Sequence, residues 1–151
     1  MKKGVIFDLD GTLINSLPDI AAAMNRSLAK AGLPGYEENS YKYKVGNGVI
    51  KLAERSVGDH PELLDQVLEA YMADYAQNSR VNTYAYKGVP EMLQGLIDMG
   101  LKVAVLSNKD QADVDKVLAY YFPGIAFSVI RGRVEGVPLK PHGDMLTEDE
   151  M

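Results

Sequence analysis

The stretch that decides the fold is Gly4-Val5-Ile6-Phe7-Asp8-Leu9-Asp10-Gly11-Thr12-Leu13. Its apolar run at residues 5–7 is too short for a helix and rich in β-branched and aromatic residues, so it predicts a buried strand. Gly11 marks the turn that follows the strand. Because side chains two positions apart on an extended backbone point the same way, we expect Asp8 and Asp10 to project together beyond the strand.

Two carboxylates at the end of one strand suit phosphoryl transfer. One can attack phosphorus and become an aspartyl phosphate, while the other protonates the leaving oxygen and later deprotonates the attacking water. Since two carboxylates and a phosphate repel one another, this chemistry requires a hard cation with oxygen ligands, and Mg²⁺ is expected. Thr12 and the loop amides lie beside the pair. The alternative is a polar turn with local hydrogen bonds, which needs only one Asp.

Composition narrows the class of protein. The 151 residues have the length of one ordinary domain, and 46% hydrophobic with 25% charged residues is typical of a globular chain. A net charge of −5 opposes a nucleic-acid partner. The absence of cysteine excludes disulfides and fits a cytoplasmic location. The first apolar run ends at Asp8, too early for a signal peptide, and no run approaches a membrane span.

Helical periodicity dominates the segment after the acidic turn. Ser16 and Asp19 have capping-box spacing at a helix start, a second helix is expected over residues 49–57, and a third begins near Pro61. No strand is evident between residues 15 and 80. The pattern predicts a helical insertion.

A second strand restores the sheet after the insertion. Residues 102–106 form a buried apolar run, and Ser107 and Asn108 stand at its carboxyl end. In a parallel sheet, ligands collect beyond the carboxyl ends of the strands. We therefore expect Ser107 to face the Asp8 site and bind a phosphate oxygen, with Asn108 and the following helix start adding donors. By itself, a Ser-Asn pair is also an ordinary helix start.

The motif Asp8-x-Asp10-Gly11-Thr12 resembles the first motif of the haloacid-dehalogenase-like hydrolases, which follows a hydrophobic strand. The resemblance implies an α/β fold: a Rossmann-like parallel sheet core over residues 1–14 and 84–151, and a helical cap domain over residues 15–83. It implies that Asp8 is the nucleophile and Asp10 the general acid and base. Mg²⁺ would be held by the Asp8 carboxylate and the Asp10 backbone carbonyl. The second Asp argues against the dehalogenase branch.

The resemblance spans residues 4–141 and is greatest to phosphoglycolate-phosphatase-like members. A strand ending in Ser107 resembles the second motif. Lys140, followed by proline, resembles the third motif, whose lysine neutralises the nucleophile and the phosphoryl group. Residues 45–48, Val-Gly-Asn-Gly, resemble a cap loop that closes over substrate, although the same letters suit a flexible turn. Phosphate is then expected between Asp8, Thr12, Ser107, Asn108 and Lys140.

The end of the chain departs from the family pattern. Members of this family continue through a further strand that ends in Gly-Asp and complete the metal site with another acidic residue, whereas this sequence stops at Met151. Asp144 follows a glycine but no apolar strand, so we expect a tail there and not a metal ligand. A chain truncated at this end would leave one edge of its sheet bare, which predicts self-association through that edge.

The sequence therefore predicts a Mg²⁺-dependent phosphatase that hydrolyses a small phosphorylated metabolite, such as phosphoglycolate, through an aspartyl phosphate. A sugar-phosphate mutase would use the same acyl phosphate and return it to a substrate hydroxyl. A catalytically silent fragment that serves as an interaction module is the third interpretation. The sequence indicates neither the individual phosphomonoester nor the oligomeric state.

Overall fold

A computed structural model describes residues 4–134 of the chain. The strands in this range are β1 (Gly4–Phe7), β2 (Ile14–Asn15), β3 (Tyr84–Ala85), β4 (Lys102–Asp110) and β5 (Val129–Arg133). The α-helices are α1 (Leu17–Lys30), α2 (Val49–Val57), α3 (Leu64–Asn78), α4 (Val89–Asp98) and α5 (Gln111–Tyr121), and short 3₁₀ helices cover Glu38–Tyr43 and Pro61–Leu63.

The chain divides into two compact units. Within the described residues, the sheet unit comprises residues 4–15 and 84–134, and the helical unit is Ser16–Thr83. Asn15 belongs to the sheet unit because it pairs with Tyr84 across the antiparallel β2–β3 ribbon. The predicted boundary between residues 14 and 15 lies one residue away. That the helical unit serves as a cap stays a prediction.

The sheet unit is built on a parallel sheet with the strand order β1-β4-β5. Phe7 pairs with Val105, which in turn pairs with Ile130. Val105 is fully buried, as are Leu93 from α4 and Val114 from α5, and all three belong to one core. Full burial of such a side chain stabilises the fold by about 1.5–3 kcal/mol. Apolar residues at consecutive positions of β4 are buried because helices α4 and α5 pack against this strand.

β1 forms an edge of this sheet within the described residues. Among residues 4–134, the neighbour of β1 in this sheet is β4. Ile6, in the middle of β1, is 49% exposed. The expected buried strand is therefore only partly covered in the described part of the chain. This geometry agrees with the expectation of an open edge, while self-association through it stays a prediction.

The helical unit encloses its own apolar core. Met24 and Leu28 on α1 are fully buried, together with Val67 on α3 and Tyr41 on the first 3₁₀ helix. The apolar face of α1 thus provides the contact with α3. Arg26 on α1 also makes a two-pronged ion pair with Asp74 on α3, with N–O distances of 2.7 and 2.8 Å.

The start of α1 differs from the predicted capping box. Ser16 occupies the N-cap position but makes no side-chain cap hydrogen bond. The Asp19 carboxylate, 2% exposed, instead accepts the backbone N–H groups of Val81, Asn82 and Thr83 at 2.8–3.0 Å. It also accepts the Thr83 hydroxyl at 2.7 Å. Asp19 therefore joins the first turn of the helical unit to its last three residues.

Among residues 4–134, the helices are too short or too polar to cross a lipid bilayer.

Candidate active site

The loop after β1 is folded around the backbone of Leu9. The Leu9 side chain is fully buried, and its carbonyl accepts the N–H groups of Thr12, Leu13 and Ile14 at 3.2, 2.9 and 3.2 Å. Gly11 turns the chain with a φ of +81°, a value that L-residues rarely adopt. The loop is thus a tight turn with a buried anchor, and the residues on either side of Leu9 are held at the end of the strand.

Asp8 and Asp10 flank this anchor. Asp8 is exposed, and its Oδ1 accepts the Leu9 N–H at 2.8 Å, which fixes the orientation of the carboxylate. The Asp10 side chain is 23% exposed, and its Oδ1 lies 3.4 Å from the Lys109 Nζ. The Lys109 side chain is 7% exposed, so its positive charge is held close to the carboxylate pair with little water around it.

Ser107 and Asn108 lie on β4, which runs parallel to β1. Pairing of Phe7 with Val105 places the residues that follow each of them side by side. Ser107 and Asn108 are 1% and 6% exposed, and the Ser107 hydroxyl accepts the Lys109 N–H at 3.0 Å. The sequence predicted that the strand would end at residue 106, but it continues to Asp110. Its register with β5 shifts after Leu106, an irregularity of the kind found next to active sites.

The end of β5 supports this part of β4. Gly132 lies so close to the β4–α5 junction that a Cβ would come within 2.7 Å of the Lys109 carbonyl oxygen. Its N–H donates to Oε1 of Gln111 at 2.6 Å, and Arg133 Nε donates to Oδ1 of Asp110 at 2.7 Å. Asp110 occupies the N-cap position of α5 but makes no cap hydrogen bond, since it pairs with Arg133. The roles of Gly132 and Arg133 were not predictable from the sequence, because contacts across strands leave no local pattern.

Asp113, in the first turn of α5, is another carboxyl near the site. Burial raises its pKa above the usual value, while the positive charge of Lys109 opposes the shift. The charges of Asp110 and Asp10 raise it further. Nothing in the sequence placed this carboxyl near the site, because its neighbours Lys109 and Asp10 are set by the fold.

The acidic pair offers oxygen donors of the type that Mg²⁺ prefers. Asp8 and Asp10 supply carboxylate and carbonyl oxygens at one strand end, and this donor set fits a hard cation. Among residues 4–134, the structure contains no cluster of three or more His, Asp or Glu side chains with metal-site geometry. A magnesium-binding role for this donor set stays a prediction.

The structure brings five of the predicted site residues to the neighbouring ends of β1 and β4. Asp8, Asp10 and Thr12 lie in the loop after β1, and Ser107 and Asn108 lie on β4. Lys140 and Asp144 fall outside the described residues. The catalytic, phosphate-binding and metal-binding roles given to these residues stay predictions.

Comparison with known proteins identifies the lineage. The sequence profile of the haloacid dehalogenase-like hydrolases matches residues 5–148. The chain is 39% identical to a phosphoglycolate phosphatase of Pseudomonas savastanoi pv. phaseolicola, with 78% of this chain and 46% of that protein aligned. It is 34% identical to a phosphoglycolate phosphatase of Pectobacterium atrosepticum, with 93% of this chain and 62% of that protein aligned. It thus spans about half to two thirds of the length of these curated relatives.

A solved structure shows the same architecture. The crystal structure of a predicted phosphoglycolate phosphatase from Haemophilus somnus superposes with a TM-score of 0.82 and 30% identity, over 93% of this chain and 67% of that one. The likeness confirms the predicted α/β fold with a Rossmann-like parallel sheet. The sequence match, the fold and the paired aspartates after β1 agree, and the chain belongs to the haloacid dehalogenase-like hydrolase family.

Proposed function

We propose that this chain carries the phosphate-transferring centre of a Mg²⁺-dependent phosphatase for small phosphorylated metabolites. The observation that carries the proposal is the position of Asp8 and Asp10 at the end of β1, beside the Ser107–Lys109 segment of β4. An exposed carboxylate, a second carboxylate with a cation beside it and a buried hydroxyl are the groups that acyl-phosphate chemistry uses.

In the proposed reaction, the Asp8 carboxylate attacks phosphorus, forming the aspartyl phosphate as the bond to the leaving oxygen breaks. Asp10, as the general acid, gives a proton to that oxygen. It then removes a proton from the water that attacks the acyl phosphate, and Asp8 is released together with inorganic phosphate. When bound between Asp8 and Asp10, Mg²⁺ would neutralise charge on the transferring group.

The surrounding residues position these two carboxylates. The Leu9 N–H holds one oxygen of Asp8, and Lys109 lies beside Asp10. The Ser107 hydroxyl accepts a hydrogen bond from the Lys109 N–H. It would donate a hydrogen bond to a phosphate oxygen. Lys140 would add positive charge at the phosphoryl group, as the family resemblance implies.

The relatives support a proposal for the substrate class. Both curated relatives described above are phosphoglycolate phosphatases. We propose a substrate of that kind, a small phosphomonoester with a carboxylate on its leaving group. The chain spans only part of the length of these proteins, so the activity itself is part of the proposal.

Phosphate release from 2-phosphoglycolate by the full chain, measured with and without added Mg²⁺, tests the proposal. We expect Mg²⁺-dependent release that falls about 10²–10⁴-fold in Asp10→Asn, because general acid–base catalysis contributes that much. Glu91→Gln, which removes an exposed carboxylate from α4 of the same unit, should retain the parent rate.

Two results would contradict the proposal. If calorimetry detected no Mg²⁺ binding and no substrate released phosphate, the chain would be a catalytically silent module. If sugar phosphates were isomerised with little free phosphate, the acyl phosphate would serve a mutase.

A further inference from the structure

We propose that Asn47, in the loop at residues 45–48, is a site of spontaneous deamidation. Asn47 precedes Gly48, and this is the one Asn-Gly pair in the sequence. The backbone nitrogen of Gly48 can attack the side-chain carbonyl carbon of Asn47, because glycine has no Cβ to hinder the approach. The groups that carry this inference lie wholly inside the helical unit, and the reaction consumes only water, so it is independent of any phosphatase activity.

The reaction replaces the side-chain amide of Asn47 with a carboxylate. A solvent base removes the proton from the Gly48 nitrogen, which then attacks Cγ of Asn47. The Cγ–Nδ2 bond breaks, and Nδ2 takes up a proton from water and leaves as ammonia, so that a cyclic succinimide remains. Water then opens either carbonyl of the ring and leaves aspartate or isoaspartate at this position. The net change is the exchange of one ammonia for one water, without an oxidant or reductant.

The attacking nitrogen is open to solvent base. Asn47 is exposed and Gly48 is half-buried. Among residues 4–134, no protein group accepts the Gly48 N–H, whereas the Gly48 carbonyl accepts the Leu52 N–H at 3.1 Å. Gly46 and Gly48 adopt φ values of +107° and +89°, and glycines on both sides of Asn47 give the backbone freedom to rearrange during ring closure. The Gly48 proton can therefore be lost without breaking a hydrogen bond within the described part of the chain.

Arg55 places a positive charge at the oxygen that gains electron density. Its Nη2 donates to Oδ1 of Asn47 at 3.0 Å, while its Nη1 donates to the carbonyl of Lys44 at 3.1 Å. When the Gly48 nitrogen attacks, negative charge develops on Oδ1, and a donor that is already in place stabilises that charge. We therefore assign Arg55 as the residue that promotes ring closure.

Asn39 provides a matched comparison in the same unit. It is exposed and precedes Ser40, a small residue that also permits ring closure. The Ser40 N–H, however, donates to the carbonyl of Glu37 at 3.0 Å. Deamidation of Asn39 requires this hydrogen bond to open first. The fold should thus slow the reaction at Asn39 and leave Asn47 unprotected.

Peptide mapping by mass spectrometry tests the site. The full chain is incubated in a mildly alkaline buffer, either folded or unfolded in guanidinium chloride, so that the intrinsic reactivity of each dipeptide cancels in the comparison. We expect Asn47 to deamidate at least as fast in the folded chain as in the unfolded chain. Asn39 should deamidate about 2–10-fold more slowly when folded, which corresponds to the loss of one hydrogen bond.

Two results of this comparison would overturn the inference. Slower deamidation of Asn47 in the folded chain than in the unfolded chain would show that the loop protects it. A rate at Asn39 that unfolding leaves unchanged would show that the hydrogen bond of the following N–H does not decide reactivity.

Variants test the role of Arg55. Arg55→Met keeps an unbranched side chain without donors and should slow deamidation of Asn47 about 3–10-fold, less than the loss of a buried oxyanion donor because Arg55 is exposed. Lys51→Met is the matched control, since it removes an exposed cation from the same helix one turn earlier and should leave the rate unchanged. Circular dichroism checks that both variants are folded. Unchanged or faster deamidation in folded Arg55→Met would overturn the role of Arg55.

Discussion

Lys109 brings a positive charge to Asp10 and a backbone hydrogen bond to Ser107. Its ammonium lies 3.4 Å from Asp10, and its backbone N–H donates to Ser107. One residue therefore contacts both the predicted proton carrier and the predicted phosphate ligand. Ser107 and Asn108 were predictable at a strand end, but the lysine after them was not, because nothing in the local pattern links residue 109 to residue 10.

Gly132 provides the sharpest prediction at the scale of one residue. A Cβ at this position would lie 2.7 Å from both the Gln111 Cα and the Lys109 carbonyl oxygen, and backbone atoms cannot move aside cheaply. We expect Gly132→Ala to lower the free energy of unfolding by about 1–3 kcal/mol. Urea denaturation measures this change.

Gly95, inside α4, is the matched control for this substitution. A Cβ there would meet no atom within 4 Å. Gly95→Ala should raise the free energy of unfolding by about 0.5–1 kcal/mol, since alanine favours the helix. Equal effects of the two substitutions would contradict the close contact at Gly132.

Asp19 carries the main prediction at the scale of secondary-structure elements. Asp19→Ala removes the acceptor for three N–H groups and one hydroxyl. Because Thr83 is buried, its donors would be left without a partner, and the free energy of unfolding should fall by about 1–3 kcal/mol. Urea denaturation of the full chain measures the change. Asp65→Ala, an exposed position on α3, should alter stability by less than about 0.5 kcal/mol. If both variants matched the parent, Asp19 would not join the ends of the helical unit.

The α1–α3 ion pair predicts a dependence of stability on pH. The hydrogen bond from Arg26 lowers the pKa of Asp74 below its usual value of 3.8, with burial opposing the shift and Asn78 assisting it. A carboxyl with a lowered folded-state pKa stabilises the fold above its unfolded pKa and loses that contribution as the pH falls. Below pH 3.8, the free energy of unfolding should therefore fall less steeply in Asp74→Asn than in the parent.

Acid titration of unfolding, followed by circular dichroism, measures these slopes. Asp65→Asn, on the same helix but exposed, should keep the parent slope. Identical slopes for the parent and Asp74→Asn would show that the ion pair does not shift the acid transition.

Elements with strong local signals were predictable, and those set by tertiary contacts were less so. The second helix was expected over residues 49–57 and is observed at Val49–Val57. The second buried strand was expected to end at residue 106, yet it runs to Asp110 because contacts with β5 extend it. Asp19 looked like half of a capping box, since the N–H groups that donate to it lie more than sixty residues away along the chain.

At the scale of the whole molecule, the β1 edge predicts concentration-dependent association. Within residues 4–134, β1 pairs with β4 on one side, and its Ile6 is 49% exposed. We expect a second copy of the chain to pair with this edge in solution. Ile6→Lys should reduce the weight-average mass measured by light scattering, because lysine on an edge opposes pairing. Met99→Lys, which replaces another exposed apolar side chain, is the control.

A parent chain that remained monomeric at all concentrations would contradict this prediction of self-association. Equal loss of association in both variants would also contradict it, since the β1 edge would then contribute no more to association than the exposed surface at Met99.

The candidate site was predictable to the extent that its residues follow strands. Asp8 and Ser107 were found because apolar runs precede them, and parallel strands place such residues at neighbouring ends. Arg133 and Gly132 were missed because their partners lie on other elements.

The central claim is that Asp8 becomes phosphorylated during turnover. The most direct measurement is an acid quench of the full chain mixed with labelled phosphomonoester and Mg²⁺, followed by peptide mapping of the label. We predict label on the peptide that contains Asp8, and neither label nor turnover in Asp8→Asn. Label on another peptide, or turnover by Asp8→Asn at the parent rate, would contradict the account.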